Sequence, residues 1–154
     1  MAAVSDKIEA VRAKTGALAN PYVTDLMTTF LQVVISQAHT LNTMAKFSKP
    51  ADIQFLFSLL QPAVESCETV KRDRKSPINH VNAVTESYSL FQYPAFEQTK
   101  MLVDSIEEFF NAIPFHGNRI LKADVEKDTE WYNTVLDLCA VIKQFIQENC
   151  TKVN

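Results

Sequence analysis

Glycine is almost absent from this sequence of 154 residues, which contains only Gly16 and Gly117. Hairpin-rich β folds need glycine at many turn positions, so its scarcity argues against them. Neither a G-x-G-x-x-G run nor a Walker-type phosphate loop can be assembled from two isolated glycines. The sequence therefore lacks the common glycine-rich nucleotide sites.

Long apolar runs and a strong positive charge are also lacking. No segment approaches the roughly 18 consecutive apolar residues that a membrane span needs, and the N-terminus has no apolar core of a secretory signal. The formal net charge is −3, which does not favour a nucleic-acid partner. These features predict a cytoplasmic protein without a membrane span.

Recognisable metal and catalytic motifs are missing as well. Cys67, Cys139 and Cys150 are far apart and form no C-x-x-C pair, and the histidines form no H-E-x-x-H motif. Cys67 and Cys139 fall on apolar stripes and are predicted to be reduced core residues. Glu107 and Glu108 are adjacent, so they diverge on a helix. We predict no metal, no cofactor and no catalytic residue, although a bundle can assemble a site from distant residues.

Apolar residues recur at helical spacing along most of the chain, with short connections between the periodic segments. The pattern predicts an all-α fold, an antiparallel bundle of about six helices. Residues 1–154 are predicted to form a single domain, with a short N-terminal helix in residues 1–19 and the bundle core in residues 20–150.

Breaks in the periodicity predict the helix boundaries. The first helix is expected to end near Gly16, and Asn20, followed by proline, starts a long central helix. Pro62 predicts a kink or split in the third helix, because an interior proline removes a backbone donor. Pro94 ends the fourth helix, and a break beginning at Pro114 interrupts the fifth.

A basic run, Lys71–Lys75, stands between the third and fourth helices. Ser76 is predicted to cap the fourth helix and Pro77 to occupy its first turn. The predicted buried stripe of that helix comprises Ile78, Val81, Val84, Tyr88 and Phe91. The predicted polar ridge beside it comprises Asn79, Asn82, Glu86 and Ser89.

Two interpretations of this region remain open. The basic run can be a solvated helix end whose cations favour the C-terminus of the preceding helix. It can also form, with the polar ridge, a surface that docks another protein. A group of aromatic residues near the two proline breaks has a similar pair of interpretations, a cap on the bundle end or a partner or dimer contact. The group comprises Phe91, Tyr93, Phe96 and Phe115.

Four stretches resemble the helical folded domain of the cyclase-associated protein family. They are Ser48–Pro50, Leu59–Pro62, the run Asn79–Ser87, and Asn118–Lys122 followed by Trp131. Their order and spacing agree with the family over roughly residues 20 to 150.

The resemblance implies a helical, non-enzymatic domain of the actin cytoskeleton. Similar domains bind cofilin-decorated actin, accelerate depolymerisation at filament pointed ends and help to recycle actin monomers. Actin and cofilin are therefore the expected partners. Adenylyl cyclase is an expected partner only through flanking segments that this sequence does not contain. Similar domains can pair, and the Tyr93–Phe96 region is a candidate homodimer contact.

The resemblance also suggests which residues contact the partner, because actin is acidic and charge-assisted bonds favour arginine and lysine. The expected charge contacts are Arg72, Arg74 and Lys75. Residues expected to set the register are Asn79, His80, Asn82 and Glu86. Secondary candidates are Arg119, Lys122 and Lys49. Two other functions stay open, a helical adaptor that binds an amphipathic helix and an enzyme with a discontinuous site.

Overall fold

The computed structural model describes residues 2–44, 50–95 and 99–150, which contain helices and turns but no strand. The α-helices in these ranges are α1 (Ala2–Leu18), α2 (Pro21–Met44), α3 (Pro50–Lys71), α4 (Ile78–Ser87), α5 (Thr99–Ala112), α6 (Pro114–Lys122) and α7 (Glu126–Cys150). A 3-10 helix, Tyr88–Ala95, follows α4 directly. The prediction of an all-α helical bundle is confirmed.

The start of α2 follows from local chemistry. The Asn20 side-chain oxygen accepts hydrogen bonds from the backbone amides of Tyr22, at 3.0 Å, and Val23, at 3.4 Å. These amides have no partner within the helix, so the cap satisfies them. Ala19, with φ of 52°, adopts the left-handed conformation that ends α1, a position the sequence had suggested for Gly16. The predicted start of the second helix at Asn20 is confirmed.

The first and last helices of the described chain pack along each other, and theirs is the most extensive helix pairing in the structure. Val4, Ile8 and Val11 of α1 are buried in the main hydrophobic core. The largest fully buried side chains are Trp131, Tyr132, Phe30, Phe91, Met27, Leu90, Ile106, Ile113, Leu138 and Ile146. The N-terminal helix is therefore an integral layer of the core. The single domain over residues 1–154 stays a prediction.

An aromatic cluster lies at the centre of the bundle. The ring of Phe30 in α2 meets Tyr88 edge-on at a centroid distance of 5.1 Å and lies 6.1 Å from Phe91. Such edge-to-face pairs add to the stabilisation gained by burial alone. Phe91 is only 1% exposed, as its place on the predicted stripe of the fourth helix implies, so the alternative of a partner contact by Phe91 is wrong.

Of the other residues in the predicted aromatic group, the structure describes the side chain of Phe115 alone. Phe115 is 70% exposed on α6. Phe96 and the side chain of Tyr93 lie outside the described residues, so a homodimer contact there stays a prediction.

Three boundary predictions can be compared with the structure. Of the kink or split predicted at Pro62, the split is absent, since α3 continues from Pro50 to Lys71. The fourth helix stops at Ser87, where the backbone tightens into the 3-10 helix. The predicted interruption of the fifth helix at Pro114 is confirmed, since α5 ends at Ala112. Pro114 itself begins α6, because proline suits a first helical turn, where its missing N–H is not needed.

Two cysteines occupy the core as predicted. Cys67 and Cys139 are free and buried. Burial raises the pKa of the Cys67 thiol and raises that of Cys139 to about 12. Both are therefore protonated at neutral pH and behave as small core side chains.

The two glycines offer a matched test of the packing between α6 and α7. A Cβ atom at buried Gly117 would overlap the Tyr132 ring, whereas one at exposed Gly16 would meet nothing within 4 Å. Alanine is normally the better helix former, but relieving an overlap in a packed core costs more than this gain. We expect Gly117→Ala to destabilise the fold by about 1–2 kcal/mol and Gly16→Ala to stabilise it by about 0.5–1 kcal/mol. Urea denaturation measures both, and equal effects at the two positions would refute the close approach of α6 to Tyr132.

Candidate functional site

The basic loop, defined here as Arg72–Pro77, connects α3 to α4 and is organised by its only acidic residue. One carboxylate oxygen of Asp73 accepts a hydrogen bond from the Tyr22 hydroxyl at 2.6 Å, and the other accepts one from the backbone amide of Lys75 at 2.9 Å. The Asp73 carbonyl accepts the backbone amide of Ser76 at 3.1 Å and its hydroxyl at 2.7 Å. Asp73 therefore ties the loop to α2 and fixes its turn.

These bonds change the ionisation of both side chains. The Tyr22 hydroxyl and, second, the Lys75 amide hold the pKa of Asp73 below its ordinary value. The same hydrogen bond raises the pKa of Tyr22. Asp73 therefore stays ionised at neutral pH.

The cationic side chains of the loop have no bonded partner of opposite charge among the described residues. Arg72, Arg74 and Lys75 are exposed, and none of them forms an ion pair with another residue of the described ranges. Lys71, by contrast, pairs with Glu68 at 3.0 Å. The loop thus presents three cationic groups to solvent while its carboxylate is occupied.

The start of α4 differs from the prediction. Pro77 occupies the cap position with no side-chain cap bond, and the Ser76 hydroxyl is directed to Asp73 instead. Ile78 was predicted to be buried, but 46% of it is exposed. The remainder of the predicted stripe, Val81, Val84, Tyr88 and Phe91, is buried. An apolar side chain therefore lies exposed immediately after the basic loop.

The predicted polar ridge is partly exposed along its length. Asn79, Asn82, Glu86 and Ser89 all have intermediate burial. The hydroxyl of Ser89, in the 3-10 helix, donates to the Glu86 carbonyl at 2.6 Å. The two asparagines lie three residues apart on α4 and so face the same way. Donors and acceptors of the ridge remain within reach of a partner.

A shallow cleft of about 240 Å³ joins the two sets of predicted contacts. It is lined by Asn79 and His80 of α4, Arg119 of α6 and Asp128 of α7. Packing of α4 against α6 brings these residues together, although 39 or more positions separate Arg119 from the α4 residues. Lys122, one turn beyond Arg119, is exposed. Lys49 lies outside the described residues.

His80 supports the wall of this cleft. Its Nε2 lies 3.0 Å from a carboxylate oxygen of Asp128, so Nε2 carries a proton and donates to that oxygen. The imidazole also lies against Trp131, with ring centroids 4.9 Å apart. The indole N–H of Trp131 donates to the Thr15 hydroxyl at 3.2 Å. The cleft is therefore anchored to α1 through buried groups.

Three parts of this site could not be recognised from the sequence. Tyr22 and Asp73 are 51 positions apart, and His80 and Asp128 are 48 apart, so no local spacing connects them. The exposure of Ile78 was hidden because its spacing matches the buried stripe.

The hydrogen bond from Tyr22 to Asp73 leads to a prediction about the pKa of Asp73. The carboxylate with a lowered pKa contributes stability above its unfolded-state pKa, and this contribution is lost as pH falls through the folded value. We expect Tyr22→Phe to raise the Asp73 pKa toward its ordinary value, because the largest cause of the shift is removed. Carboxylate NMR titration measures this change. An unaltered Asp73 pKa in a folded Tyr22→Phe variant would contradict the loop geometry.

Within the described ranges, no helix has the length and apolar character needed to cross a membrane. The same part of the chain contains no group of three or more His, Cys, Asp or Glu side chains placed to hold a metal ion.

Comparison with known families identifies the fold. A family model described as "CAP, N-terminal domain" matches residues 2–153, nearly the whole chain. The match confirms the family suggested by the sequence. A comparison with curated proteins gives no match.

Proposed function

This chain belongs to the family of CAP N-terminal domains, and on that basis we propose that it binds actin and cofilin-decorated actin and promotes filament disassembly. Membership of this family implies a non-catalytic function connected with the actin cytoskeleton. The finer proposal includes recycling of actin monomers from their complex with cofilin. It also includes action in the cytoplasm.

The observation that carries the proposal is the exposed basic loop. Arg72, Arg74 and Lys75 are exposed, and Asp73 is held by Tyr22 and Lys75. An acidic protein surface gains charge-assisted hydrogen bonds from such groups without breaking internal ion pairs. The arginines can form bidentate contacts with carboxylates, which fix orientation as well as adding affinity.

The polar ridge and the cleft extend this surface. Asn79 and Asn82 of α4 offer neutral donors and acceptors beside the cations, and Glu86 and His80 lie on the same short helix. Arg119 reaches the same cleft from α6. We propose that the cations provide attraction and that the neighbouring side chains set the register.

The proposed mechanism is differential binding. If the domain binds a terminal cofilin-bound subunit more tightly in a geometry outside the filament than within it, the equilibrium shifts toward release. No covalent chemistry is required. The acceleration of disassembly then depends on how much more tightly the domain binds the subunit in the geometry outside the filament than in the geometry within it. It does not depend on the affinity for the filament alone.

Further partners follow from the family and stay secondary proposals. Adenylyl cyclase would be reached through segments flanking this chain. A homodimer would use the Tyr93–Phe96 region.

A helical adaptor is the second candidate, favoured by a groove between α2 and α3. The groove has a volume of about 420 Å³ and is lined in part by Val33, Ile35, Pro62 and Ala63. Ile35 is 42% exposed there. An amphipathic helix could bury its apolar face in such a groove.

Cosedimentation separates the two functions. We expect the chain to pellet with cofilin-decorated actin filaments and to do so less at high salt, because exposed charges are screened. An adaptor for an unrelated helix would stay in the supernatant at every salt concentration. Absence of the chain from the cofilin–actin pellet at low salt would reject the proposed function.

A further inference from the structure

We infer that the cleft between α4 and α6 receives a bulky apolar side chain carried by an acidic segment of the partner. This inference rests on the proposed function, because it specifies what the same surface recognises. Ile78 is the central contact, with Arg74 and Arg119 meeting carboxylates on either side of the apolar side chain.

The apolar part of the argument begins with Ile78. It lines the cleft of about 240 Å³, together with Ile120 and Ala123, and 46% of its surface is exposed. The helical stripe of α4 predicts burial at this position, and the protein core does not provide it. A cleft of this volume has room for one aliphatic or aromatic side chain, which would cover Ile78 on binding.

The charges identify the chemistry of the segment around that side chain. The basic loop leads into the cleft through Pro77, and Arg119 lines the cleft from α6. Two nearby carboxylates, Asp73 and Asp128, are hydrogen-bonded to Tyr22 and His80, and these bonds do not cancel their negative charge. The three cations of the basic loop, together with Arg119, outnumber the two carboxylates, so an acidic segment is attracted and a basic one repelled.

Acidic side chains also lie near the cleft. Asp124 and Glu126 are exposed where α6 leads into α7, close in sequence to Ala123 and Asp128, which line the cleft. We expect a bound segment to place its acidic residues toward the basic loop and Arg119 and away from the α6–α7 turn. An apolar contact inside a charged rim is the usual arrangement of an interaction hot spot.

The experiment compares two isoleucines of similar exposure. Ile78→Ser removes the proposed contact, and Ile35→Ser, at 42% against 46% exposure, makes the same chemical change in the α2–α3 groove. Affinity for cofilin-decorated actin filaments is measured by cosedimentation at two salt concentrations. We expect Ile78→Ser to weaken binding about tenfold with an unchanged salt dependence, and Ile35→Ser to bind like the wild type.

A second variant guards against an effect on folding. Ala123→Gln leaves Ile78 in place and fills the cleft from an exposed position, so it should weaken binding to a similar extent. Thermal denaturation verifies that each variant is folded.

The outcomes distinguish the two proposals. If the wild-type chain binds and both Ile78→Ser and Ala123→Gln bind with the same affinity, the cleft inference is overturned and the proposed function stands. Equal weakening by Ile78→Ser and Ile35→Ser also overturns it, because the effect would not belong to the cleft. Failure of the wild-type chain to bind overturns both.

Discussion

Exchange of Arg72, Arg74 and Lys75 for glutamate is expected to abolish the acceleration of cofilin-dependent filament disassembly while leaving the fold intact. All three side chains are exposed and lack ion pairs among the described residues. Their replacement should therefore change the free energy of unfolding by less than about 0.5 kcal/mol each, the usual range for surface positions.

The effect on the partner is much larger because attraction becomes repulsion. Complementary charges raise association rates by about 10- to 1,000-fold, and like charges facing each other across an interface cost several kcal/mol. We expect at least about a hundredfold loss of affinity. The depolymerisation rate of pyrene-labelled actin with cofilin, at a fixed concentration of the chain, measures the result.

A matched control keeps the total charge change but moves it to α1. Reversal of Lys7, Arg12 and Lys14 breaks only exposed ion pairs, those of Arg12 with Glu9 and of Lys14 with Glu130, which contribute little stability. This variant should retain activity. Equal loss in the two variants would point to net charge alone and would remove the basic loop from the site.

Trp131→Ala is expected to cause the largest loss of stability, about 3–5 kcal/mol. The indole is fully buried, stacks on His80 and donates to Thr15. It thereby joins α7 to α4 and α1, and its removal leaves a large cavity and an unpaired hydroxyl. A domain of this size is commonly stable by about 5–15 kcal/mol, so the loss would be at least roughly a fifth of its stability.

Urea denaturation followed by circular dichroism measures this change, since the variant has no tryptophan to report it. Trp131→Phe is the matched variant, because it keeps a ring against His80 and loses the N–H bond to Thr15. It should cost about 1–3 kcal/mol. A loss below about 1 kcal/mol in Trp131→Ala would show that the helices do not converge on this residue.

The fold could be predicted from the sequence because helical periodicity reports which face is buried. Val81, Val84 and Tyr88, all on the predicted stripe of the fourth helix, are buried. Asn20 marked the start of α2 because its side chain caps the first amides. Local chemistry of this kind can be seen in the sequence without knowledge of the packing.

The end of α4 could not be predicted in the same way. At Tyr88 the backbone changes to a 3-10 helix, in which residues three apart face the same side. Tyr88 and Phe91 consequently meet in the core, with ring centroids 6.4 Å apart. An extrapolated α-helical stripe predicted burial of both residues, but it gave no indication of the tighter helix or of contact with Phe30.

The sequence indicated which residues form the candidate site, but not how tertiary packing arranges them. The basic loop and the α4 ridge are contiguous in sequence and could be recognised as one surface. The bonds from Tyr22 to Asp73 and from His80 to Asp128 depend on tertiary packing, so spacing did not indicate them. The exposure of Ile78 also depends on tertiary packing, because its spacing on α4 matches the buried stripe.

Bulk disassembly of actin filaments by the wild-type chain, with and without cofilin, tests the central claim most directly. The account predicts that adding the chain accelerates loss of polymer when cofilin decorates the filaments, and that salt reduces this acceleration. Identical disassembly rates with and without the chain, in the presence of cofilin at low salt, would contradict it.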